Sequence, residues 1–136
     1  MKVVRSVLAI IVGLMVFIGI AMLIQAISHR IYPPPEGIDM HDPVAVKTLM
    51  ETLPLGAFLM VLLSWGMGTF VAGAVAALIA GRARCLHAGI IGGLVLAATI
   101  MIFWMIPHPD WLIVAGLLLP LPLSLLAGKL VSLRNA

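Results

Sequence analysis

Four long apolar runs set the rhythm of the chain. They cover residues 7–27, 55–80, 86–106 and 111–131, and short polar segments separate them. Within the first, only Gln25 is strongly polar; the second carries Ser64 and Thr69, the third His87, and the fourth Ser124 with Lys129 at its end. An α-helix rises about 1.5 Å per residue, so roughly 20 residues cross a hydrocarbon layer about 30 Å thick. All four runs are long enough. The pattern predicts an all-α integral membrane protein: an up-down bundle of four transmembrane helices in a single domain, 1–136. The first run exceeds the roughly 7–15 apolar residues of a secretory signal, and it is read as a retained span.

The one long interruption, 28–54, has structure of its own. "YPPPEGIDMHDP" begins at Tyr32 and ends at Pro43. Three consecutive prolines cannot continue a helix and favour a stiff, extended exit. Glu36-Gly37 suits a turn. Asp42-Pro43 reads as a helix start, with Asp as N-cap and Pro in the first turn. Val46, Leu49, Met50 and Leu53 then recur at helical spacing, while Lys47, Thr48, Glu51 and Thr52 fall on the other side. A short amphipathic helix over about 43–53 is expected on the outer face.

Composition strengthens the membrane reading. Hydrophobic residues make up 63% of the chain and charged residues 10%, against about 25% charged in an ordinary soluble domain. One cysteine, Cys85, excludes an intramolecular disulfide. The net charge of +3 does not mark a nucleic-acid surface, because the basic residues follow the span ends. With the N-terminus inside, Lys2, Arg5, Arg82, Arg84, Lys129 and Arg134 lie on the cytoplasmic side, and only Arg30 and Lys47 lie outside. The positive-inside rule therefore places both termini in the cytoplasm. The acids Glu36, Asp39, Asp42, Glu51 and Asp110 fall on the outer side.

Inside the spans the pattern is one of small residues. Gly68, Ala72, Ala76 and Ala80 recur every four positions, as do Thr69, Gly73, Ala77 and Gly81, forming one smooth face. Gly89, Gly93 and Ala97 make a comparable row on the third span, and Ala9 with Gly13 a shorter one on the first. Such rows let helix backbones approach closely in lipid. They serve packing of spans two and three within the chain, or an interface with another copy or a larger membrane complex. In the fourth span, Pro120 and Pro122 withdraw two backbone donors and predict a kink.

Candidate chemistry is sparse. No ionisable residue lies near the middle of a span, which argues against proton coupling. Gln25, Ser64, Thr69, Thr99 and Ser124 could line a weakly polar path. On the outer side, Glu36, Asp39, His41 and His108 remain as metal-ligand candidates once Asp42 and Asp110 are assigned to helix caps and His29 to the end of span one. Neither a nucleophile triad nor a phosphate loop is recognisable, and no cofactor is expected. Together, "YPPPEGIDMHDP", "ETLPLGAF", "SWGMGTFVAG" and "MIPHP" resemble a family of small, uncharacterised bacterial four-span inner-membrane proteins. That resemblance implies an inner-membrane location and adds no catalytic residues. The sequence therefore leads to a non-enzymatic membrane subunit or accessory protein, associating through its small-residue faces. A small oligomeric transporter or channel for a weakly polar solute is the alternative, and an outer-face metal binder the third reading.

Overall fold

A computed structural model describes residues 1–135. It contains six helices: α1 (Lys2–Ile31), α2 (Pro43–Thr52), α3 (Leu55–Ala80), α4 (Arg84–Met105), α5 (Asp110–Leu118) and α6 (Pro120–Arg134). No strand occurs among the described residues. The helical stretches Lys2–Ile31, Leu55–Ala80, Arg84–Met105 and Asp110–Arg134 are each long and apolar enough to cross a membrane.

Local chemistry sets the helix ends. The first helix runs past both edges of its apolar run and stops only at Tyr32, because Pro33 disfavours helical geometry in the residue before it. Likewise α4 ends where Ile106, preceding Pro107, takes extended φ and ψ of −128° and 125°. Gly81 turns the chain between α3 and α4 with φ of 69°, a left-handed geometry that glycine adopts without strain. Asp42 caps α2 as expected, accepting a hydrogen bond from the Val44 N–H at 3.0 Å. Asp110 differs from expectation. It is the first residue of α5 rather than its cap, and no side chain caps that end. Its carboxylate still suits the first turn, where the helix dipole is positive.

The fourth run breaks near its middle. Pro120 cannot donate a backbone hydrogen bond, and the helix is interrupted at Leu119. Leu119 keeps right-handed helical angles, φ −74° and ψ −43°, and the Leu123 N–H bonds back to its carbonyl at 3.2 Å. The interruption is thus local, and α6 continues from α5 as a kinked helix.

Packing centres on α3. Its Gly68 lies against Phe17 of α1, and a Cβ on Gly13 of α1 would meet the Ala72 carbonyl and the Ala76 side chain at 3.2 Å. Arg5 and Ile79 meet at one end of this pair, and Tyr32 and Gly56 at the other. Helices α1 and α3 therefore run in opposite directions. The adjacent small row faces elsewhere: a Cβ on Gly73 would stand 3.1 Å from the Cα and carbonyl oxygen of Ser124 in α6. One helix thus offers two smooth stripes to two different neighbours. Gly68, Thr69, Ala72, Gly73, Ala76 and Ala77 are all buried within this single chain.

The row on α4 takes a different register from the one expected. Gly89 touches Leu125, but Gly93 is exposed with no atom within 4 Å of its Cβ position. The intrachain contact passes instead through Ala88, Gly92, Val95 and Thr99, all buried. The reason is Ser124 and the Pro120 carbonyl, which press against Gly92 and fix the rotation of α4.

What is buried and what is exposed are inverted relative to a water-soluble fold. Ala9, Ala72, Ala76, Ala77, Ser64, Thr69 and Ser124 are fully enclosed, while Leu8, Ile11, Met15, Met22, Leu63, Leu94 and Leu130 are exposed. Each enclosed hydroxyl is satisfied within its own helix: Thr69 donates to the Trp65 carbonyl, Thr99 to Val95, Ser64 to Val61 and Ser124 to Leu121.

Gly73 and Gly93 make opposite predictions. Gly73→Leu overpacks the α3–α6 contact and should cost about 1–3 kcal/mol or more. Gly93→Leu should leave the stability of the isolated chain unchanged or slightly raised. Thermal unfolding in detergent compares the two directly.

Candidate outer-end pocket

A cavity of about 330 Å³ lies where α1, α2 and α3 meet. It owes its existence to the loop. The prolines end α1, Asp42 restarts the chain as α2, and α2 lies over the gap. Among the described residues, no Cα of α2 comes within 8 Å of a Cα in another helix. Only side chains close the space. Val46 and Leu49 of α2 are buried, whereas Lys47, Thr48, Glu51 and Thr52 are exposed.

The lining divides by chemistry. Met40, Leu49, Leu53, Ala57, Phe58 and Val61 give it an apolar body, and Gln25, Ser28, His29, Tyr32 and His108 supply polar groups. Most of these polar groups sit on one side. Gln25, Ser28 and His29 are spaced i, i+3 and i+4 on α1, a single helical stripe, and Tyr32 follows just past the helix end. Gln25 donates to the Ser64 hydroxyl at 3.4 Å, tying that stripe to α3. The Tyr32 hydroxyl packs where Gly56 has no side chain. The stripe was visible in the sequence as helical spacing, but nothing there showed that α2 would roof it.

His108 closes the far side. Its ring packs edge-on to Phe103 with centroids 5.1 Å apart and tilts against Trp65 at 6.5 Å. Trp65 and Phe103 are themselves T-shaped at 5.7 Å, and Phe58 meets Trp111 edge-on at 6.1 Å. The His108 Nδ1 lies 2.7 Å from the Ile106 carbonyl, so Nδ1–H donates and Nε2 is left as an acceptor. Burial pushes the His108 pKa below the ordinary histidine value, and the Ile106 hydrogen bond only partly opposes it. The ring therefore favours its neutral form.

The four metal-ligand candidates are not brought together. Among the described residues, no group of three or more His, Cys, Asp or Glu side chains is placed to hold a metal ion. Asp39 turns inward on its own loop, accepting from the His41 backbone N–H at 2.9 Å. Glu36 and His41 are exposed, while His108 is held among aromatic rings. The loop's own turn geometry accounts for Asp39.

The fold and this pocket define the class: a helical chain with four apolar helices long enough to cross a membrane and a cavity between α1, α2 and α3. Comparison with protein-family models, curated proteins and solved structures finds no match to this chain.

Two predictions follow from the roof and the wall of the cavity. Asp42→Ala removes the cap of α2 at a cost of about 0.5–2 kcal/mol. Amide exchange should quicken over Val44–Leu49 and leave α3 unaffected. The second concerns pH. A base whose folded pKa is lowered contributes full stability above its unfolded value of 6.5 and loses it as pH falls below that value toward the folded pKa. His29, Lys47 and Glu51 line the same cavity or the cleft beside it. His108→Phe keeps the ring packing, and it should flatten the decline in melting temperature as pH falls below 6.5.

Proposed function

We propose that this protein is a non-enzymatic, four-span accessory protein of the bacterial inner membrane that holds an amphiphilic small molecule in its outer-end pocket. The observation that carries this reading is the cavity itself, about 330 Å³ with an apolar body and polar groups drawn up along one wall. Pockets of this kind, mostly apolar with a few convergent polar atoms, are the usual form of small-molecule sites. An apolar tail fits against Phe58, Ala57 and Leu53, and a polar head fits near Gln25, His29, Tyr32 and the free Nε2 of His108.

Membrane insertion is supported by the exposed apolar faces and the four membrane-length helices. The orientation rests on charge: the basic residues near the span ends favour cytoplasmic termini in an up-down bundle. In this orientation α2 is an amphipathic roof at the outer interface, with its charged side toward water. The exposed Trp104 suits the same headgroup level.

A second reading, association with another copy or a larger membrane complex, draws on a different observation. Gly93 and Ala97 form an outward-facing part of a small-residue row, and nothing in the chain covers Gly93. Such a row admits a second helix at close range. The row on α3 is already occupied by α1 and α6, so an interface falls to α4. The weakly polar path of the transport alternative has less support, because the hydroxyls of Thr69, Thr99 and Ser124 are committed to their own helices.

Ala57→Phe should fill the pocket. Native mass spectrometry with lauric acid should give a one-to-one adduct in the unaltered protein and at least tenfold less in the variant. Equal, non-stoichiometric adducts in both would defeat the reading. Topology has its own readout. Cys85 is the only cysteine and is exposed. A membrane-impermeant maleimide should miss it in intact spheroplasts yet label a Glu36→Cys, Cys85→Ser variant.

A further inference from the structure

The opposite end of the chain carries a second cleft, with a different chemistry. About 270 Å³ in volume, it is lined by Lys2, Arg5 and Ser6 of α1, by Ala80, Arg82 and Ala83 at the α3–α4 turn, and by His87 of α4. Three cations and an imidazole thus face one space. None of the five acidic residues belongs to this end: four lie between Glu36 and Glu51, and the fifth is Asp110, beside the outer turn. No acidic side chain at this end offsets the positive charge.

The fold holds part of this charge in place. Arg5 donates its Nε to the Ile79 carbonyl, and its guanidinium packs against Gly81, whose lack of a side chain makes the room. That contact satisfies a carbonyl of the last turn of α3 and leaves the remaining guanidinium donors for another partner. His87 is buried, with Nδ1 3.0 Å from the Ala83 carbonyl. Nδ1–H therefore donates, and the ring's position is fixed. Arg84, next in the same turn, buries its Nε with no hydrogen-bond partner. The N-terminal turns of α1 and α4 both point their positive dipole ends toward this end of the molecule. The C-terminal turns of α3 and α6 bring negative dipole ends to the same end, so the net positive charge is carried by the side chains. An isolated cluster of this kind costs self-repulsion, and an anion bound among the cations relieves it.

We infer that this cleft is a binding site for a phosphate-bearing anion, the headgroup of an anionic phospholipid. The inference rests on the membrane orientation proposed above, which sets the cleft at the cytoplasmic headgroup level. Lys2 and Arg82 are exposed at its rim and supply mobile charge, while Arg5 supplies a fixed fork for phosphate oxygens. Basic pockets between membrane helices on this side suit such headgroups.

Native mass spectrometry of the full chain, released from mixed micelles of phosphatidylglycerol and phosphatidylcholine, tests the site. Phosphatidylglycerol should be retained at least tenfold more strongly. Lys2→Gln and Arg82→Gln should each weaken it about fivefold, equivalent to about 1 kcal/mol per basic residue. Lys129→Gln, an exposed basic residue outside the cleft, should not. Unchanged melting temperatures would show that these surface variants fold. Displacement by millimolar inorganic phosphate would assign recognition to the phosphate alone, and resistance to it would assign recognition to the headgroup with its acyl chains. Equal retention of both lipids overturns the inference, as does a preference indifferent to Lys2 and Arg82. Neither result bears on the lauric acid adduct at the other end. Labelling of Cys85 from outside would instead remove the orientation on which both depend.

Discussion

The close approach of two helices to adjacent stripes of α3 is the constraint on which the rest of the structure depends. Gly68, Ala72 and Ala76 meet α1, and Gly73 meets the backbone of Ser124 in α6. Between helices surrounded by hydrocarbon there is little hydrophobic drive, so dispersion at short range must do the holding. That needs backbones with almost nothing between them. A large residue in either stripe would push one neighbour away and shift the position of the other. Ser124 couples the arrangement further: it touches both Gly73 and Gly92, so α3, α4 and α6 share one junction.

Once those contacts are made, the polar groups have few places to go. The enclosed hydroxyls bond to carbonyls of their own helices, which satisfies them without opening a path. Gln25 is the exception, reaching across to Ser64 at the edge of the outer cavity. Many larger apolar side chains are displaced to the exterior, as a membrane-spanning chain would require. The enclosed positions between helices are therefore small and tight, and the two spaces with polar lining described above lie at the ends, where helices stop and turns begin.

Those two ends differ in kind. At one, prolines and a capped short helix build a roof over an apolar hollow bordered by polar groups. At the other, the start of α1 and a short glycine turn gather cations with no acidic side chain among them. The asymmetry follows from the distribution of charge along the chain: acids cluster in the long loop and at Asp110, while six of the eight basic residues mark the remaining span ends. A molecule with an oily tail matches the first end and an anionic headgroup matches the second.

Much of this was legible from residue order alone. Apolar run length announced four helices, Asp42-Pro43 announced α2, and proline positions announced where α1 and α4 stop, because these are local effects of the chain on itself. The four-residue repeats on α3 announced a smooth face for the same reason. Which neighbour takes each stripe was decided only in three dimensions. Gly93 and Gly92 look alike in sequence, yet only Gly92 meets Ser124 and the Pro120 carbonyl. Asp39, His41, Glu36 and His108 share one side by topology, but their convergence depends on loop turns and on the aromatic packing of His108. The outer pocket likewise exists because α2 stands off from its neighbours. A gap between elements is set by their relative placement, and local pattern carries no record of it.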